Sequence, residues 1–164
     1  GPLALDGESG SMLVSLLDDD RFVQLPAGTE TAEGVELLVS RLEVLGMVGD
    51  RFRSALTARE ALAPMQINTE VAFPHASATD LQSVVCAMGV IPRGDNEEGL
   101  RVIFLMGVPL KTDYDDRILL RVYDEIIRLS QDPLLVRKVS RLNSYVQFFY
   151  LMEDYAEATA QGRR

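Results

Sequence analysis

Two apolar runs constrain this chain more than any other feature: Val84–Ile91, broken only by Gly89, and Val102–Val108, broken only by Gly107. Each has the length of a strand, and neither alternates between apolar and polar residues. A strand that is apolar at every position must be covered on both faces, which asks for helices above and below a sheet. Pro92-Arg-Gly-Asp95 supplies the turn after the first run, and Pro109 stops the second, which begins at Arg101. Both runs are far shorter than the roughly 20 residues a membrane-spanning helix needs.

The remaining pattern fits that layered arrangement. Phe22-Val-Gln-Leu25 alternates and is closed by Pro26-Ala-Gly28, a short first strand. Thr29 or Thr31 then caps a helix whose Val35, Leu38, Leu42 and Leu45 form one stripe, ended by Gly46 and Gly49. A second helix starts near Asp50, turns Phe52, Ala55 and Leu56 inward, and ends near Ala63-Pro64. Val71-Ala-Phe73 reads as a short strand running into Pro74-His75. Asp113 or Asp115 caps a helix carrying Ile118, Val122, Ile126 and Leu129. Asp132-Pro133 starts the next, and Asn143 or Ser144 the last, with Val146, Phe149 and Met152. Strands alternating with helices give an α/β fold with a mixed sheet flanked by helices on both faces. No repeat or linker divides the chain, so 12–164 reads as one domain, and 1–11 as a vector-derived leader.

Composition narrows the chemistry. The formal net charge of −9 argues against nucleic acid or an anionic membrane as partner and suits a basic protein. No basic n-region precedes an apolar stretch, and the expected compartment is the cytoplasm. The single cysteine, Cys86, cannot form an internal disulfide and sits in an apolar run, where a buried thiol is the default. One histidine cannot build a two-histidine zinc motif, and no phosphate-cradling glycine loop is present. Asp18-Asp19-Asp20 and the acidic run at 113–116 read as solvated caps or loops.

That histidine, His75, lies behind a proline at the apparent carboxyl end of a strand, a common location for ligand sites in α/β proteins. If a backbone carbonyl binds one ring nitrogen, the other keeps a lone pair for attack on phosphorus. Taken alone, these residues leave two readings open: a nucleophilic imidazole, or a structural or merely exposed one.

The order Arg59-Glu60, Ile67-Asn68 and Val71-Ala-Phe-Pro-His-Ala76 resembles the type-2 (fructose/mannitol and nitrogen-related) enzyme IIA family of the bacterial phosphotransferase system. The resemblance extends over most of 20–152 and implies the mannitol-type enzyme IIA architecture. It also implies that His75 accepts a phosphoryl group from an HPr-like phosphocarrier and passes it to a cysteine of a IIB domain. No metal or other cofactor is implied, nor nucleic acid or direct membrane insertion. Arg59, Asn68, Thr69 and Arg117 become candidates for stabilising the phosphate. Arg59 is equally a helix-end cation, and Asn68 and Thr69 are equally turn residues. Phe73 and Met65 are expected to contribute an apolar rim for HPr, with the core as the alternative place for Met65.

The chain also departs from the family. The second histidine that usually opens the helix after the Val102–Pro109 strand is missing from Thr112-Asp-Tyr-Asp-Asp-Arg117. Pro64-Met-Gln66 replaces the usual Thr-Gly, and the stretch after Ile91 is short. A degenerate enzyme IIA-like module of a transporter or transcriptional regulator, without efficient phosphotransfer, is therefore the alternative reading.

Overall fold

The computed structural model describes residues 10–63, 65–111 and 113–162. The helix-stopping role expected of Pro64, the departure at Thr112, most of the leader and Arg163-Arg164 fall outside them. Ser11, grouped with the leader on sequence, caps the short helix α1 (Met12–Ser15), and its hydroxyl donates to Glu125 at 2.6 Å. Asp18 caps a 3₁₀ turn at Asp19–Arg21 that leads into β1 (Phe22–Gln24). Then come α2 (Thr31–Val44), α3 (Asp50–Leu62), β2 (Val71–Ala72), β3 (His75–Ala78), β4 (Val85–Val90) and β5 (Val102–Pro109). Three helices finish the chain: α4 (Arg117–Ser130), α5 (Pro133–Ser140) and α6 (Tyr145–Ala160).

The sheet is mixed, with order β1-β4-β5-β2, and β3 also pairs with β5. β1 runs parallel to β4, β2 and β3 run parallel to β5, and β4 and β5 are antiparallel. Every residue of β4 and β5 is buried, as their unbroken apolar sequences require. Alternation divides them between two cores. Cys86, Met88, Val102, Phe104 and Met106 join the core under α1, α4, α5 and α6. Val85, Ala87, Ile103 and Leu105 join the core under α2 and α3.

Close packing on the second face needs glycine. A Cβ on Gly34 of α2 would collide with Ile103 Cδ1, and one on Gly107 of β5 would meet Phe52 of α3 at 3.0 Å. These approaches hold α2 and α3 against the sheet, and α3 lies along β3.

Three local expectations change. The N-cap of α2 is neither Thr29 nor Thr31 but Glu30, in a reciprocal capping box with Glu33, because the Thr29 hydroxyl turns back to the Pro26 carbonyl at 2.6 Å. The cap of α4 is Asp116, while Asp115 accepts from the Arg117 N–H at 3.0 Å. The strand does not end at Phe73: pairing pauses at Phe73-Pro74 and resumes in β3. Asp132 and Ser144 cap α5 and α6 as their positions predict.

Candidate functional site

The pause at Phe73-Pro74 builds the site. Pro74 has no N–H to give the ladder, and its carbonyl accepts from Met106 at 3.1 Å. The Phe73 N–H turns outward to the Met65 carbonyl at 2.8 Å. Its own carbonyl lies 2.8 Å from Nδ1 of His75, the first residue of β3 and the partner of Met106 in register. A carbonyl oxygen only accepts, so Nδ1 carries the proton and the neutral ring keeps its lone pair on Nε2. His75 therefore opens a strand rather than following the last one, because backbone pairing with β5 continues past the proline.

The ring is held from several sides. It stacks on Phe73 at a centroid distance of 4.4 Å and 23° between planes, and Tyr123 of α4 lies 5.9 Å from Phe73. The His75 N–H donates to Met65 Sδ at 3.3 Å. Nη2 of Arg59, in the last turn of α3, stands 3.4 Å from Nε2. Burial pushes the imidazole below its ordinary pKa; the Phe73 carbonyl opposes this, and the Arg59 charge adds to the lowering. The outcome is a neutral imidazole, half-buried, with one nitrogen tied down and the other turned to a cation.

The other expected residues lie in different settings. The Asn68 amide donates to the Ser130 carbonyl at 3.0 Å, and its Oδ1 accepts from the N–H groups of Glu70 and Val71, each at 2.9 Å. It pins the loop before β2 to the end of α4, a turn role. Thr69 is exposed, and its side chain makes no hydrogen bond among the described residues. Arg117 is 84% exposed and pairs with Asp115 at 2.6 Å. Phe73, expected at a docking rim, is 1% exposed because its ring lies under His75 and joins the core. Met65 is half-buried against the core beneath α3. Burial pushes the Cys86 thiol up to about 12, so it stays protonated, as a buried thiol should.

The two residues expected from the sequence, His75 and Arg59, lie together at 3.4 Å, but what orients them was not read from it. Phe-Pro-His held a readable signal, since a residue before proline is extended and the proline interrupts a ladder. The Tyr123 contact joins α4 to the edge strand and had no local signature. Arg101, taken only as a strand start, is fully buried: it pairs with Glu70 at 2.8 Å and donates to the carbonyls of Arg93, Gly94 and Glu97. It fastens the loop that crosses from β4 to β5.

A mixed five-stranded sheet between two helical layers, with its edge strand broken at a Pro-His, defines the class: α/β domains of mannitol-type enzyme IIA architecture. The chain belongs to the phosphoenolpyruvate-dependent sugar phosphotransferase system EIIA 2 family, whose model matches residues 15–155. Nitrogen regulatory protein IIA-Ntr from Neisseria meningitidis is similar at 16% identity and a TM-score of 0.66, over 87% of this chain and 99% of that one. IIA mannitol from Escherichia coli is similar at 14% and 0.63, over 81% and 96%. The E. coli complex of enzyme IIA-Mtl with phosphorylated enzyme IIB-Mtl matches at 14% and 0.64, over 84% and 97%. At such identities these are likenesses of fold. No curated protein matches the chain.

Proposed function

We propose that this chain is a phosphohistidine carrier, taking a phosphoryl group from an HPr-type phosphocarrier onto Nε2 of His75. It then passes the group to a IIB partner or uses it as a regulatory signal. The observation that carries the reading is the 2.8 Å contact between Nδ1 and the Phe73 carbonyl, which leaves the Nε2 lone pair facing Arg59. In the transfer, that lone pair forms the new N–P bond as the donor's N–P bond breaks and its electron pair returns to the donor imidazole. The proton stays on Nδ1, donated in a hydrogen bond to the Phe73 carbonyl, and Arg59 offsets the charge on the phosphoryl oxygens. Placement and charge compensation by this chain's own groups are what such a step asks of it.

Docking is expected on the rim formed by Leu62, three residues beyond Arg59 and 87% exposed, and Tyr123, 45% exposed. No helix among the described residues is long and apolar enough to cross a membrane, and a chain served by HPr works in the cytoplasm. Incubation with phosphoenolpyruvate, enzyme I and HPr should give an acid-labile phosphate on the wild type and none on His75→Ala. An unlabelled wild type across several HPr proteins would remove the carrier assignment.

One observation favours the second reading, a regulatory module that is phosphorylated slowly. No second imidazole exists, and Arg117, the candidate substitute, is paired with Asp115 in solvent. Transfer from HPr at a small fraction of the rate of a two-histidine relative would select it.

A further inference from the structure

The far edge of the molecule carries a feature that phosphoryl transfer does not use. α6 buries Phe148 and Met152 against the core, and Phe148 lies 6.3 Å from Phe22 of β1. Its opposite face exposes Val146 at 51%, Phe149 at 37% and Tyr150 at 63%. These are neighbours at helical spacing, and the aromatic rings brace one another: Tyr145 meets Phe149 at 6.4 Å and Phe149 meets Tyr150 at 5.4 Å, both edge to face. At roughly 200 Å² per aromatic side chain, the exposed area is about 300 Å², within the range of patches that serve a function.

Charge says what fits there. One turn on, the same stripe continues into Glu153, with Asp154 beside it and Glu157 a turn further, all exposed; α6 has no lysine or arginine. Among the described residues, Glu153 and Asp154 form no ion pair, and Glu157 meets only the Gln161 amide. At the other end Asp18 is neutralised by Arg21 at 2.9 Å, and the exposed Asp19 beside it has no ion pair among the described residues. An apolar stripe bounded at its C-terminal end by the unneutralised Glu153, Asp154 and Glu157 repels nucleic acid, anionic lipid and, by like charge, a second copy of itself. It is also far smaller than the roughly 800 Å² per partner that a stable dimer buries. What it complements is a short amphipathic segment with apolar side chains on one face and Lys or Arg around them.

We infer that the outer face of α6 is a docking surface for a basic amphipathic segment of another protein. The sheet separates it from His75: β3 and β1 lie on opposite edges, three strand spacings or about 15 Å apart. A partner held there leaves His75 free, so the domain can be tethered to one protein while it exchanges phosphate with another. This inference does not depend on phosphoryl transfer.

The test uses the intact chain and two synthetic helical peptides of equal length, one of Leu and Lys and one of Leu and Glu, with affinity measured by titration calorimetry. The expected result is preference for the Lys peptide, weakening with salt and lowered at least tenfold by Tyr150→Ser and by Glu153→Lys. Asp80→Lys, an equal charge change in the turn after β3, should lower it less than twofold. Equal binding by Tyr150→Ser and wild type, or an equal loss in Asp80→Lys, would overturn the inference by reducing the effect to net charge. A wild-type dimer in sedimentation that Tyr150→Ser dissolves would also overturn it, by giving the face to a second copy.

Discussion

Two arginines flank the edge strand of this domain and live in opposite conditions. Arg101, at its base, is fully buried with its donors engaged by Glu70 and three backbone carbonyls. Arg59, at the level of His75, is exposed and among the described residues reaches a single partner at 3.4 Å. The first is a cation whose surroundings are complete, so it has nothing left to offer a ligand. The second is underused, which is the state of a charge waiting for an anion. The contrast separates a group that holds the fold from one that the proposed transfer would use, although sequence presents both only as arginines beside apolar segments.

The largest effect should come from Arg101→Met. Removing the buried cation leaves three carbonyls without their donor and Glu70 with only the longer Arg137 contact at 3.6 Å, costing about 3–5 kcal/mol in denaturant unfolding. Molecules that remain folded should still accept phosphate. Arg59→Gln should behave the opposite way. Its unfolding midpoint should move by no more than about 0.5 kcal/mol, whereas phosphoryl acceptance should fall about a hundredfold, the usual loss when one charge-stabilising donor is removed. Comparable damage to both properties in both variants would erase the distinction.

The pH dependence sharpens it further. Because burial lowers the His75 pKa, the unfolded chain protonates before the folded one as pH falls. The stability this contributes is present above the unfolded value of about 6.5 and is lost as pH falls from there toward the folded value. Acceptance should hold down to about pH 6.5 and decline only below. Arg59→Gln removes a repelling cation, so the His75 titration followed by proton NMR should move upward in that variant; a downward move would contradict the placement of the guanidinium. The smallest effect is assigned to Arg117→Ala. With its head in solvent on Asp115, neither the unfolding midpoint nor the transfer rate should change beyond experimental error, and a tenfold loss of transfer would return it to the site.

Much of this was legible before the structure. The apolar runs at Val84–Ile91 and Val102–Val108 read as two-faced strands, and every residue of them but the half-buried Val84 is buried. Asp132-Pro133 and Ser144 mark helix starts because their signals are local. What escaped depended on distant partners. β3 exists because backbone groups beyond Pro74 find β5, some thirty residues on, and no pattern within His-Ala-Ser-Ala announces that. The cap of α2 went to Glu30 because Thr29 was already taken by a carbonyl behind it. At the candidate site, the family order pointed to His75 and Arg59, which the fold brings together; the contact of the Asn68 side chain with Ser130 of α4 was not legible, since only the packed chain defines it.

The proposed transfer depends on which ring nitrogen of His75 is free. A nitrogen-15 and phosphorus-31 NMR spectrum of the phosphorylated chain tests this most directly. The prediction is a phosphorus coupled to Nε2 of His75, with a proton retained on Nδ1. Phosphorus on Nδ1, or a phosphate bound anywhere other than His75, would contradict it.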